Sequence, residues 1–178
     1  MNAPEFSRPI CIDTLSSEPR QVSIEADDSE RAALAGRFGL VAIQKLSAEA
    51  ALACHGEEIV AIGALSAEVI QSCIASGADL NATISEQFRI VFRPQPALPS
   101  AEEEIELDEA EMDVVFYDGA SIDIGEAVAE TLSLSLDPYP RSADAEELLR
   151  GAGVKSEAEA GPFGALAALR DTLGDKDF

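Results

Sequence analysis

Tryptophan is absent from this sequence of 178 residues, histidine occurs once and cysteine three times. No two cysteines have the C-x-x-C spacing of a zinc site, and the neighbours Cys54 and His55 would point to opposite faces of a strand. We therefore expect no metal ion and no cofactor. The cysteines Cys11, Cys54 and Cys73 are predicted to be buried structural thiols in a reducing compartment.

The sequence also lacks the motifs of the common enzyme classes. A G-x-S-x-G nucleophile elbow, a phosphate-binding loop and a dinucleotide-binding glycine pattern are all missing. Acyl transfer needs a general base beside its nucleophile, and a chain with a single histidine is not expected to provide that pair. We predict that the protein is not an enzyme, since a metal-dependent hydrolase would need several carboxylates to converge in one cleft.

Long apolar runs are absent as well. No stretch approaches the roughly 20 apolar residues that a transmembrane helix needs. Residues 1–15 contain an early Glu and Pro and no apolar core of a secretory signal. The sequence therefore predicts a cytoplasmic protein without a membrane partner.

Negative charge is what the sequence has in excess. Its 34 carboxylates outnumber 12 Lys and Arg, which gives a formal net charge of −22. Basic proteins are therefore the expected partners, and DNA is not, because nucleic-acid affinity comes largely from basic side chains that displace counterions. The densest run is the predicted partner-binding acidic face, with a solvated loop as the alternative. This acidic run comprises Glu102, Glu103, Glu104, Glu106, Asp108, Glu109, Glu111 and Asp113.

Several arginines in the first half of the chain provide a second hypothesis. If the fold gathers them on one face, a basic patch could contact RNA despite the net charge. Stacking platforms for bases are scarce, because the few aromatic residues follow core-like alternation. The candidate RNA-contact residues are Arg8, Arg31, Arg37, Arg89 and Arg93.

Period-two alternation of apolar and polar residues dominates residues 40–92, in three long stretches. Shorter strands are predicted at residues 5–12, 21–26 and 114–119. The sequence thus predicts an α+β fold, a coiled antiparallel sheet or partial barrel covered by three or four short helices. The predicted core of the sheet comprises Val60, Ile62, Leu65, Val69, Ile84, Phe88, Ile90 and Phe92.

Two D-x-x-E pairs predict helix starts of the capping-box type, Asp27 with Glu30 and Asp123 with Glu126. The second helix has an apolar residue at every fourth position and is expected to cover the sheet as a lid. Its apolar stripe consists of Ile124, Val128, Leu132 and Leu136.

The prolines Pro138 and Pro140 are expected to end this helix in an extended segment. Residues 1–141 are predicted to form one core domain. Residues 142–161 are predicted to be an acidic flexible linker, and residues 162–174 a C-terminal docking helix of the same domain.

Six segments of the chain resemble, in order, the YceD-like family, which is named for large ribosomal RNA subunit accumulation. The most specific is IDIGEAVAETLSLSLDPYPR, residues 122–141, and the chain looks like an alphaproteobacterial member. Its family-motif residues are Asp123, Gly125, Glu126, Asp137, Pro138, Tyr139, Pro140 and Arg141. The other segments are EFSRPI, SERAALAGRFGL, GALSAEVIQSC, EEEIELD and PFGALAAL.

The resemblance implies a role in the maturation or accumulation of large-subunit (23S) ribosomal RNA, without an established enzymatic activity. Many relatives carry a C-x-x-C pair where this chain has Cys73 and then Ser76, so the metal binding described for them is not expected here. Combined with the charge, this predicts a ribosome-biogenesis factor that docks basic ribosomal or assembly proteins. Direct binding of the 23S rRNA precursor is the alternative.

Overall fold

The fold is α+β, as predicted, in a computed structural model that describes residues 4–96 and 114–154. The strands are β1 (Pro9–Cys11), β2 (Arg20–Glu25), β3 (Ala42–His55), β4 (Glu58–Ser72), β5 (Asp79–Pro94), β6 (Val114–Tyr117) and β7 (Ser121–Asp123). The helices are α1 (Asp28–Phe38), α2 (Ile124–Ser135) and α3 (Ala145–Gly151), and Ile12–Thr14 form one 3-10 turn.

Five of the strands form one sheet in the order β2-β3-β4-β5-β6, and β1 and β7 form an antiparallel ribbon. β3 pairs antiparallel with both β2 and β4, as predicted. β6 instead runs parallel to β5, so the sheet is mixed and the all-antiparallel prediction is wrong for this strand. Residues 95–113 separate the two strands, and parallel neighbours need a connection of about a dozen residues or more. The described strands form an open sheet and not a closed barrel.

The core of the sheet agrees with the prediction except at the start of β4. Ile62 is 56% exposed and Val60 is only half-buried, because they lie on the opposite face of the strand from Leu65 and Val69. The buried side of β4 begins with Ile59. The predicted core residues Leu65, Val69, Phe88, Ile90 and Phe92 are buried, and Ile84 is half-buried against them.

Gly63 lies on this buried side of β4 between larger residues. A Cβ atom there would lie 2.2 Å from the carbonyl oxygen of Glu49 and 2.8 Å from the ring of Phe88. The absent side chain is therefore what lets the Phe88 ring and β3 approach β4.

Both helices predicted in the larger part of the fold are present. Asp27 and Glu30 form the capping box at the start of α1, and Gly39 ends it with φ 67° in the left-handed region. The apolar stripe of α2 faces the core: Ile124, Val128 and Leu132 are at most 1% exposed, and Leu136 packs against them half-buried.

The chain divides into two units. The larger comprises Met1–Gln71 and Asn81–Pro138, and the smaller comprises Ser72–Leu80 and Tyr139–Phe178. The described part of the smaller unit contains α3, which lies in the range predicted to be a linker. The predicted docking helix at residues 162–174 lies outside the described residues.

Candidate interaction surface

Asp123 fixes the start of α2 to the N-terminal segment, residues 5–8. One of its carboxylate oxygens accepts hydrogen bonds from the backbone N–H groups of Gly125 at 3.0 Å and Glu126 at 3.2 Å, so it caps the helix. The same oxygen accepts from the N–H of Arg8 at 2.8 Å, and the second accepts from the hydroxyl of Ser7 at 2.5 Å. One side chain therefore links two segments that are 115 residues apart in the sequence.

Gly125 permits this close approach. A Cβ atom on Gly125 would lie 2.2 Å from the carbonyl oxygen of Phe6 and 2.9 Å from the backbone nitrogen of Arg8. Phe6 itself is 0% exposed in the core. The glycine of the I-D-I-G-E motif is therefore a packing position, at which backbone meets backbone.

Glu126 binds Arg37 of α1. The guanidinium donates to both carboxylate oxygens, at 2.8 and 3.0 Å, and also to Glu5 at 3.1 Å. These carboxylates, Glu126 above all, raise the pKa of Arg37 above its usual value. The predicted capping box is thus correct at Asp123, but Glu126 pairs with α1 instead of returning to the cap, because Arg37 offers it a bidentate charged partner.

Arg8 lies in a second bidentate ion pair, with Glu30. Its two terminal nitrogens donate to the carboxylate oxygens at 2.6 and 2.7 Å, and the guanidinium lies 4.6 Å from the centre of the Phe6 ring. The hydrogen bonds with Glu30 raise the pKa of Arg8, and those with Arg8 lower the pKa of Glu30. Glu30 also accepts the N–H of Asp27 at 2.8 Å, so the pair fastens the N-terminal segment to the cap of α1.

Of the five arginines proposed to contact RNA, four are therefore paired with carboxylates. Besides Arg8 and Arg37, Arg31 pairs with Asp28, and the Nε of Arg93 donates to Glu58 at 2.8 Å. Arg89 is exposed on β5, and no ion pair with another described residue holds it. The four paired arginines thus lie in the segment before β1 (Arg8), on α1 (Arg31 and Arg37) and on β5 (Arg93).

A groove of about 220 Å³ lies beside β6, bounded by β7 and the first half of α2. Phe116 stands at this groove and is 56% exposed, although its neighbours Val115 and Tyr117 pack against the core. The groove's carboxylates are Asp123, Glu126 and Glu130, and among the described residues no Lys or Arg lines it.

The predicted acidic run, residues 102–113, lies outside the described residues. In the sequence it ends immediately before Val114, the first residue of β6. β6, which lines the groove, therefore directly follows the most acidic part of the sequence. The groove also has carboxylates of its own.

The family-motif residues after α2 differ in exposure. Asp137 and Pro138 are exposed at the end of the larger unit, where the Asp137 carbonyl accepts from the buried side chain of Gln71 at 2.9 Å. In the smaller unit Tyr139 is 70% exposed, Arg141 is exposed, and the Pro140 carbonyl accepts from Ile74 N–H at 3.0 Å.

Cys73 lies in the smaller unit, 2% exposed. Its sulfur is 3.3 Å from both the hydroxyl and the backbone nitrogen of Ser142, and Ser76 is a further hydrogen-bonding neighbour. The Ser142 hydroxyl, followed by the Ser76 hydroxyl and the Ser142 backbone, lowers the pKa of the thiol to about 6. The expectation of buried thiols holds for Cys73; it is wrong for Cys11, which is exposed on the narrow β1–β7 ribbon, and Cys54 is half-buried.

The described residues around Cys73 do not supply the ligands of a soft metal ion. The donors beside this thiol are the hydroxyls of Ser76 and Ser142, whereas zinc sites are built from thiolates, imidazoles and carboxylates. Within residues 4–96 and 114–154, no group of three or more His, Cys, Asp or Glu could hold a metal ion. The serine at position 76 thus supplies a hydrogen bond in place of a second sulfur ligand.

The low pKa of Cys73 leads to a testable pH dependence. In a Cys11→Ser, Cys54→Ser chain we expect the thiolate ultraviolet absorbance to appear with a midpoint near pH 6, and Ser142→Ala to move the midpoint upward toward 9.0. Because the folded-state pKa is depressed, the stability that Cys73 contributes is fully present above about pH 9 and is lost as pH falls through about 6. A midpoint near pH 9 in both chains would contradict this prediction.

No sequence pattern indicated Ser7 or Ser142, whose partners are 116 and 69 residues away. A signal for the exposed Phe116 did exist. All four residues of the β6 sequence VVFY are apolar, so a strand there needs a cover on both faces or exposes one of them.

These features define an acidic α+β protein in which the first segment, α1 and the start of α2 are joined by buried backbone contacts and paired arginines. The family model of the Large ribosomal RNA subunit accumulation protein YceD matches residues 62–170, and the chain belongs to this family. The match supports a role in ribosome biogenesis. Neither a curated protein nor a solved structure matches the chain. In the described parts of the chain, no helix is long and apolar enough to cross a membrane.

Proposed function

We infer that this protein is a non-enzymatic ribosome-biogenesis factor of the cytoplasm. It supports the maturation or accumulation of large-subunit (23S) ribosomal RNA by docking basic ribosomal or assembly proteins on an acidic surface. Residues 102–113 form the main part of that surface, and the family match supports the process in which it acts.

The observation that carries this proposal is which charged side chains are paired and which are not. With 34 carboxylates and 12 basic residues, most carboxylates have no basic counterpart in the chain. Four of the five candidate RNA-contact arginines already hold carboxylates, so unpaired negative charge dominates the surface. Such a surface attracts basic proteins and speeds their association.

The same pairing disfavours direct contact with RNA. A phosphate would have to displace Glu126 from Arg37 or Glu30 from Arg8, both of them bidentate ion pairs. Such pairs have the planar geometry that a phosphate would otherwise match, so their arginines are already engaged. Direct binding of the 23S rRNA precursor is therefore the outcome that the experiment below has to exclude.

To test this proposal, the tagged full chain is used to capture proteins and RNA from cell lysate, with and without nuclease treatment. We expect large-subunit ribosomal or assembly proteins to remain after nuclease treatment and to decrease about tenfold from low to moderate salt, because screening weakens the attraction. A variant in which each Glu and Asp of residues 102–113 is replaced by Gln and Asn should no longer capture these proteins.

A charge-matched control separates this run from net charge alone. The control neutralises eight exposed carboxylates elsewhere and should keep most of the capture; they are Asp13, Glu18, Glu25, Glu49, Glu57, Glu68, Asp79 and Glu86. Equal losses in both variants would mean that net charge acts without a defined surface. Proteins that disappear on nuclease treatment would make RNA the direct ligand and overturn the proposal.

A further inference from the structure

One edge of β6, its outer edge, is unpaired among the described strands. Its inner edge pairs with β5, where the Tyr117 carbonyl accepts the N–H of Gln95 at 3.0 Å. Because backbone groups alternate in direction along a strand, the N–H and C=O of Phe116 point to the other edge. In the part of the chain that the structure describes, no strand pairs with that edge. β6 therefore offers backbone hydrogen-bonding groups to an incoming strand.

The two faces of this edge differ in chemistry. Val115 lies opposite Phe92 in the pairing and faces the core, in the groove that Glu130 also lines. Phe116 lies opposite Arg93, on the other face, with 56% of its surface exposed. A strand added here would place alternate side chains beside Glu130 and beside the Phe116 ring.

Charge decides which side chains fit. Asp123 is occupied by Ser7 and by backbone N–H groups, and Glu126 by Arg37. Glu130 is exposed, and no hydrogen bond or ion pair joins it to another described residue. With no cation lining the groove among those residues, a Lys or Arg is the complementary side chain at this position.

We propose that the open edge of β6 binds an extended basic segment of a partner protein by strand addition. The partner's main chain pairs with Phe116, its apolar side chains pack on the Phe116 ring, and a Lys or Arg on the other face reaches Glu130. This inference rests on the proposed function and adds to it the docking surface and the conformation of the partner. A second copy of this chain fits less well, because two chains of net charge −22 repel each other.

The test uses a labelled peptide of about ten residues that alternates Val and Lys, the length of an ordinary strand. Its binding to the full chain is measured by fluorescence anisotropy. An equally charged peptide with N-methyl groups at alternate residues should bind more than about tenfold more weakly, because it cannot complete the ladder. Phe116→Ala should weaken binding about tenfold, and Glu130→Gln about threefold.

Matched controls use residues on β4. Ile62 has the same 56% exposure as Phe116, and Glu68 is an exposed carboxylate, so Ile62→Ala and Glu68→Gln should leave peptide binding unchanged. Circular dichroism of each variant verifies folding, which these exposed positions are expected to tolerate.

Three results would overturn the inference. The first is that the N-methylated peptide binds as tightly as the unmethylated one, or that neither peptide binds, while the chain still captures proteins from lysate after nuclease treatment. The proposed function would then stand without this surface; loss of that capture would refute the proposed function separately. The second is self-association of the free chain that Phe116→Ala abolishes, which would assign the edge to a second copy. The third is Phe116-dependent binding of an oligouridine probe, which would assign it to RNA.

Discussion

Replacing Gly125 with alanine is expected to lower the free energy of unfolding by about 3 kcal/mol. The new Cβ would lie 2.2 Å from the Phe6 carbonyl oxygen and 2.9 Å from the Arg8 nitrogen. These are backbone atoms, so no side-chain rotation relieves the overlap, and the N-terminal segment must move away from α2. Since that segment holds Phe6 in the core, the displacement would also loosen the packing of Phe6.

Urea unfolding of Gly125→Ala and of Gly36→Ala measures this effect with a matched control. Gly36 is also a helical glycine, but a Cβ there has nothing within 4 Å. Gly36→Ala should therefore stabilise the protein by up to about 1 kcal/mol through helix propensity. Opposite signs from the same substitution would confirm that backbone contact decides the effect. Equal stabilisation by both would show that the close approach at Gly125 is absent.

Asp123→Ala is expected to destabilise the protein by about 3 kcal/mol, because it removes a helix cap and leaves other donors unpaired. Four groups donate to this carboxylate, and two of them, Ser7 Oγ and Arg8 N, belong to the distant N-terminal segment. For a chain of this size the loss corresponds to a fall in Tm of roughly 6–12 °C.

Thermal unfolding followed by circular dichroism tests this prediction. Asp123→Asn keeps an acceptor at the cap and should cost clearly less than Asp123→Ala. Asp118→Ala removes an exposed carboxylate five positions earlier and should change Tm little. If Asp123→Ala and Asp118→Ala had the same effect, Asp123 would not join the two segments.

Local sequence patterns predicted the elements of this fold well. The three long alternating stretches became β3, β4 and β5, and the D-x-x-E pair at Asp27 and Glu30 became a complete capping box. The stripe of α2 became its buried face. These predictions succeeded because alternation, helical spacing and capping depend on residues within one or two turns of each other.

Predictions that depended on distant residues were less reliable. Glu126 has the spacing of a capping box, yet it pairs with Arg37, 89 residues away. The direction of β6 could not be read from VVFY, because parallel and antiparallel strands have the same local alternation. Which face Ile62 lies on depends on which alternate residues are buried along the whole of β4. Gly63 lies on the buried face but has no side chain that would reveal this in the sequence.

The sequence alone determined the α+β class, the helix starts, the negative charge and the resemblance to the YceD family, because each is a local or summed property of the residues. Only the tertiary structure decided that Arg8 and Arg37 are paired and that the glycine of the I-D-I-G-E motif is a backbone contact. It also decided that no other described strand pairs with the outer edge of β6. Ion pairs, close approaches and free edges depend on which distant segments meet. That is set by the packing of the whole core and not by any short stretch of sequence.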